Sequence, residues 1–145
     1  MITDSDCWVL FSVGFDKKGS DLLTILANGD RINHAIFGRD ELENGLNTLL
    51  HNGLLRRGGE GVFAREKDHV MERENERFFA TLRARLFYKR DRKFFEGSIE
   101  EWLRFSGILA AIPCEDSTVK EYELSEEEYR AAVRAYLKSS GISIG

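Results

Sequence analysis

The chain is 145 residues long, 42% hydrophobic and 11% aromatic, the size and composition of one domain able to bury its own core. Cys7 and Cys114 lie far apart with no CxxC spacing and no histidine cluster beside them, so neither a disulfide framework nor a zinc site is expected. A net charge of −4 and a pI near 5.5 argue against a general grip on polyanions, and no apolar run reaches membrane-spanning length.

Residues 6–16, DCWVLFSVGFD, are apolar almost throughout. Period alone fits a buried helix or a buried strand, and the segments after it favour a helix. Lys17-Lys18-Gly19 closes this element. Ser20 is read as the N-cap of a second helix carrying Leu22, Leu23, Ile25 and Leu26 and ending near Asn28-Gly29. A third helix is expected over residues 39–52, after Gly38, with Leu42, Leu46, Leu49 and Leu50 at i, i+4, i+7 and i+8 as a one-sided stripe. Gly53 is placed to end it in the left-handed conformation. Leu54-Leu55 and Val62-Phe63-Ala64 are then expected to pair as short antiparallel strands across the RRGGEG turn. Asp68 is expected to cap a long helix running to about residue 93, with Met71, Phe78, Leu82 and Leu86 on one face. Ser98 with Glu101, and Ser125 with Glu128, form capping-box starts for two further helices. The intervening IPCEDSTVKEYEL reads as a polar connector.

Helix, helix, helix, hairpin over residues 6–66 resembles the winged helix-turn-helix domain. The most telling stretch is DELENGLNTLLHNGLLRR, which looks like a third helix running into the wing, and the DRINHAIFGRDEL connection looks like a group of uncharacterised bacterial winged-helix proteins. The chain departs from the usual pattern in carrying Gly38 where a Ser or Thr commonly caps the third helix, and in a longer link between helices two and three. The resemblance implies a mainly α fold with a small β-hairpin wing, and the remaining residues 67–145 read as C-terminal helices packed on that core. With a single proline, Pro113, and no repeats or low-complexity tracts, the whole of 1–145 is expected to be one domain.

Charge is unevenly distributed. Residues 1–53 carry a net −4, residues 54–93 a net +5 and residues 94–145 a net −5. The leading expectation is a DNA-binding, transcription-regulator-like protein that meets duplex DNA through this cationic middle. In helix-turn-helix proteins the second helix of the motif enters the major groove. Here that helix would offer Arg39, Asn44, Asn47 and His51, and the wing would offer Arg56, Arg57, Arg65 and Lys67 as phosphate contacts. Asp40, Glu41 and Glu43 crowd the same helix and oppose that use. The further cluster RARLFYKRDRK adds Arg83, Arg85, Lys89, Arg90, Arg92 and Lys93, which more often make a solvated face than a nucleic-acid site.

The competing expectation is a protein-interaction module, a partner protein or homodimer being anchored by aromatics such as Phe78, Phe79, Phe94, Phe95 and Trp102. The same aromatics could equally pack the C-terminal helices onto the core. His34, His51 and His69 fall on different elements without a nucleophile or metal spacing, so no enzyme activity, cofactor or metal is expected. The acidic residues before Cys7, where a signal peptide would be basic, fit a cytoplasmic protein.

Overall fold

The computed structural model describes residues 2–59, 76–91, 106–111 and 120–141. Thr3 opens the first helix, α1 (Asp4–Val13), through a reciprocal capping box: its hydroxyl accepts the Asp6 N–H at 3.1 Å, and the Asp6 carboxylate accepts the Thr3 N–H at 3.0 Å. Cys7, Trp8, Val9, Leu10 and Val13 are all buried, so α1 is enclosed on nearly every side, as a helix apolar all round must be. Its one interior hydroxyl, Ser12, donates back to the Trp8 carbonyl at 2.7 Å and is satisfied locally.

The second helix, α2 (Leu22–Asn33), departs from expectation at both ends. Its N-cap is Asp21, whose carboxylate accepts the Thr24 N–H at 2.9 Å. Ser20 is instead extended, bridging to Phe78 through two backbone hydrogen bonds of 2.9 and 2.8 Å, while its hydroxyl donates to the Val13 carbonyl at 2.6 Å. The helix also runs through Gly29 rather than stopping there. That glycine serves packing: a Cβ on it would lie 2.4 Å from the Phe37 ring. The actual stop is His34, left-handed at φ 55°.

The third helix, α3 (Arg39–His51), presents Leu42, Leu46, Leu49 and Leu50 to the core, as the stripe predicts. It packs on α1 through Gly45, where an added Cβ would meet Val9 at 2.6 Å. Its end is a Schellman motif: Leu54 N–H reaches the Leu49 carbonyl at 2.9 Å, Gly53 N–H reaches the Leu50 carbonyl at 3.2 Å, and Gly53 supplies the φ of 70°. The chain is thereby delivered directly into strand β1 (Leu55–Gly59).

The partner of β1 is β2 (Glu76–Ala80), antiparallel, with Leu55 opposite Ala80, Arg57 opposite Phe78 and Gly59 opposite Glu76. Val62-Phe63-Ala64, the expected partner, lies outside the described residues. The expected helix from Asp68 to residue 93 is corrected by the same finding, since residues 76–80 are strand and the helix α4 begins only at Leu82, ending at Asp91. Breaking the helix resets its phase. Ala84 is buried and Phe87 half-buried against the core, whereas Leu82 and Leu86 are 71% and 58% exposed. Residues 106–110 are helical and bring Leu109 into the core. Ser98 and its helix start lie outside the described residues.

The last helix, α5 (Glu126–Ser139), starts where the sequence places it, with the Ser125 hydroxyl accepting the Glu128 N–H at 3.1 Å. None of its residues is fully buried. It lies on α2, and the Tyr129 hydroxyl donates to the Phe37 carbonyl at 2.6 Å and the Tyr136 hydroxyl to Asp30 at 2.5 Å. The fold is thus mainly helical with a small two-stranded antiparallel sheet.

Candidate functional site

Arg39, Glu43, Asn47 and His51 recur every four residues and so form one row on α3, along one edge of its leucine stripe. Such a row would face solvent, or a ligand, in a bare three-helix unit. Here residues 120–125 lie along it, running in an extended line antiparallel to the helix.

Asn47 grips this segment twice, donating from Nδ2 to the Tyr122 carbonyl at 2.8 Å and accepting the Tyr122 N–H on Oδ1 at 2.9 Å. One turn earlier, Glu43 Oε2 accepts the Leu124 N–H at 2.8 Å and Oε1 meets Lys120 Nζ at 2.7 Å. Arg39 Nη1 donates to the Leu124 carbonyl at 2.8 Å. Arg39 also pairs with Asp40, with Glu43 at 3.5 Å and with Glu126 at 3.3 Å, joining the start of α5 to the start of α3. From β1, Arg57 donates to the Glu121 carbonyl and pairs with Glu76. The five bonds to residues 121, 122 and 124 all address main-chain atoms.

Side chains of the segment alternate, as period two requires. Tyr122 and Leu124 point inward and are 2% and 1% exposed, while Glu121 and Glu123 point outward. Tyr122 meets the Phe78 ring edge-on at 5.0 Å between centroids, and the Arg57 guanidinium lies 5.2 Å from the Tyr122 ring.

Glu43 is the electrostatic centre. Its side chain is only 4% exposed, and burial alone would raise its pKa; the Lys120 and Leu124 hydrogen bonds and the charges of Lys120 and Arg39 outweigh that and hold it below the ordinary glutamate value. It is a buried carboxylate kept ionised by two cations and an N–H.

The residues expected to contact DNA are accordingly dispersed in role. Arg39, Asn47 and Arg57 hold the 120–125 segment, Asn44 is exposed, and His51 is half-buried. Arg56 is exposed with its guanidinium 4.2 Å from the Phe79 ring centroid. Arg65 and Lys67 lie outside the described residues. In the second basic cluster, Arg83 donates to the Asn52 carbonyl at 3.2 Å and Arg85 to the Phe15 carbonyl at 2.7 Å, so both tie α4 to the body. Of the expected interface aromatics, Phe78 is corrected to a core residue: it is fully buried between Ser20, Arg57 and Tyr122 and has no surface left for a subunit contact. Phe79 is half-buried, and Phe94, Phe95 and Trp102 lie outside the described residues.

Sequence reading takes Glu43 only as a charge opposed to DNA and misses Lys120, Tyr122 and Leu124. The available signal was the alternation in KEYEL, too short to distinguish from a polar linker. Cys7 is buried, and burial followed by the Asp4 and Asp6 charges pushes its thiol pKa far up, which disfavours the nucleophilic thiolate at this position. Among the described residues no cluster of His, Cys, Asp or Glu could hold a metal ion, and no helix is long and apolar enough to cross a membrane. Comparison with protein-family models, with curated proteins and with solved structures finds no match.

Proposed function

We propose that this chain is a non-catalytic cytoplasmic protein with a winged-helix-type core that works by binding another protein. The winged-helix assignment draws support from chain order: α1, the bridging residue Ser20, α2, α3, then β1 and β2, with Ser20 and β1 on opposite edges of β2. The observation that carries the interaction reading is that residues 120–125 already occupy the edge of α3 that carries Arg39, Glu43 and Asn47. A recognition helix must offer unpaired donors to base edges, and Asn47 and Arg39 are both committed to protein backbone. Asp40 and Glu41, both exposed at the start of the same helix, set two carboxylates against the single cation Arg39 there.

A second reading, weak duplex binding through the sheet, is favoured by exposed Arg56 and by the net +5 of residues 54–93. One experiment separates them. A photo-crosslinking residue at exposed Asn44 is expected to give protein adducts in cells, and mobility-shift assays at low salt are expected to show no duplex retention. Salt-sensitive retention that is lost in Arg56→Ala, with no protein adducts, would replace the first reading by the second.

A further inference from the structure

Resting on the interaction reading, we infer that the groove between α3 and β1 is a receptor for an extended peptide carrying a Tyr-x-Leu pair on a partner protein, and that residues 120–125 occupy it in cis. Recognition of that segment has two separable parts. Bonds from Arg39, Glu43, Asn47 and Arg57 go to main-chain N–H and C=O groups, which any extended peptide presents. Selectivity comes from the two inward positions, where Tyr122 has an aromatic edge and a guanidinium as neighbours and Leu124 is enclosed. The spacing of two reflects the extended backbone. The positions on either side of Tyr122 face outward, and the cis segment carries Glu121 and Glu123 there.

An incoming peptide of this kind replaces each main-chain bond by its equivalent, and a lysine two residues before its tyrosine replaces Lys120 on Glu43, so exchange leaves no buried donor or acceptor unmatched. The cis segment's advantage is tethering, which amounts to an effective concentration on the order of millimolar. The next element in the chain, α5, has no fully buried residue; it rests on the core through the half-buried Tyr129, Ala132, Val133 and Tyr136, the two tyrosine hydroxyls and the Arg39–Glu126 pair.

The test uses the full chain and a fluorescein-labelled peptide of sequence KEYELSEEEY, residues 120–129. Anisotropy is expected to change little with the wild-type chain at micromolar concentrations. The chain bearing Tyr122→Ala and Leu124→Ala is expected to bind the peptide at least about tenfold more tightly, adding Asn47→Ala is expected to weaken that binding about tenfold, and a peptide with both anchors changed to alanine is expected not to bind. Equal, weak binding to wild-type and double-substituted chains overturns the proposal. If the double substitution unfolds the chain, recovery of helical circular dichroism on adding the peptide supports it and failure to recover overturns it. A wild-type dimer that dissociates on the same substitutions assigns the groove to a second copy and overturns the claim of a foreign partner. Protein adducts from Asn44 without peptide binding would leave the interaction reading standing while removing this groove from it.

Discussion

Phe37→Ala is expected to destabilise the chain by about 3–5 kcal/mol, the usual cost of truncating an enclosed aromatic to alanine. Phe37 is fully buried, its ring centroid 3.7 Å from that of Trp8, and it fills the space that Gly29 leaves open on α2. Trp8 in turn donates from Nε1 to the Gly29 carbonyl at 3.0 Å, and the Phe37 carbonyl accepts the Tyr129 hydroxyl. This one side chain therefore holds α1 against α2, while the main-chain carbonyl of the same residue ties in α5. Typical domain stability is about 5–15 kcal/mol, so the loss would be a large fraction of the total. Urea unfolding followed by far-ultraviolet circular dichroism measures it; a loss below about 1 kcal/mol would mean that this ring is not the plug described.

The second large effect is expected from Glu43→Ala. Removing the carboxylate strips the buried Leu124 N–H of its acceptor and Lys120 of its partner. A hydrogen bond to a charged group contributes about 1.5–3 kcal/mol. Lys120 is 54% exposed, so water recovers much of its share, and the loss falls chiefly on the docking of residues 120–125. Urea titration read at Tyr122 by nuclear magnetic resonance is expected to show this segment releasing before the core. The wild-type contact has a definite pH dependence. Because the folded-state pKa of Glu43 lies below its ordinary value, its stabilisation is full above about pH 4.3 and is lost as the pH falls through the lowered value. Glu43→Gln is expected to abolish that dependence, and an unchanged acid profile would remove Glu43 from the centre of the clasp.

The parts of the fold legible in the sequence are those set by short-range interactions. The α3 leucine stripe, Gly53 and the Ser125 cap depend on neighbours within a turn or two, and all three are where local chemistry puts them. Residues 76–80 misled because Phe78 sits four before Leu82, and in ERFFATL an apolar pair satisfies a helical period as readily as a strand. Gly29 read as a stop because local rules see a missing side chain, whereas the Phe37 ring needing that space arrives from beyond the helix. The site was half legible. The polar residues Arg39, Asn44, Asn47 and His51 are visible in the sequence as candidates to contact DNA, and Glu43 only as a charge opposed to it. The true neighbour of Arg39, Glu43 and Asn47 comes from 75 to 85 residues downstream, a distance at which periodicity carries no information.

The central claim is that Arg39, Glu43 and Asn47 of α3 hold residues 120–125 by their backbone. Amide hydrogen exchange at Tyr122 and Leu124 in the wild-type chain tests it most directly. Docking predicts exchange slowed by a factor on the order of 100, equivalent to about 2.7 kcal/mol of local opening, with protection of Tyr122 reduced in Asn47→Ala and that of Leu124 reduced in Glu43→Ala. Exchange of both amides at the rate of an unstructured peptide would contradict the account and return Asn47 and Arg39 to the surface as groups free to meet DNA.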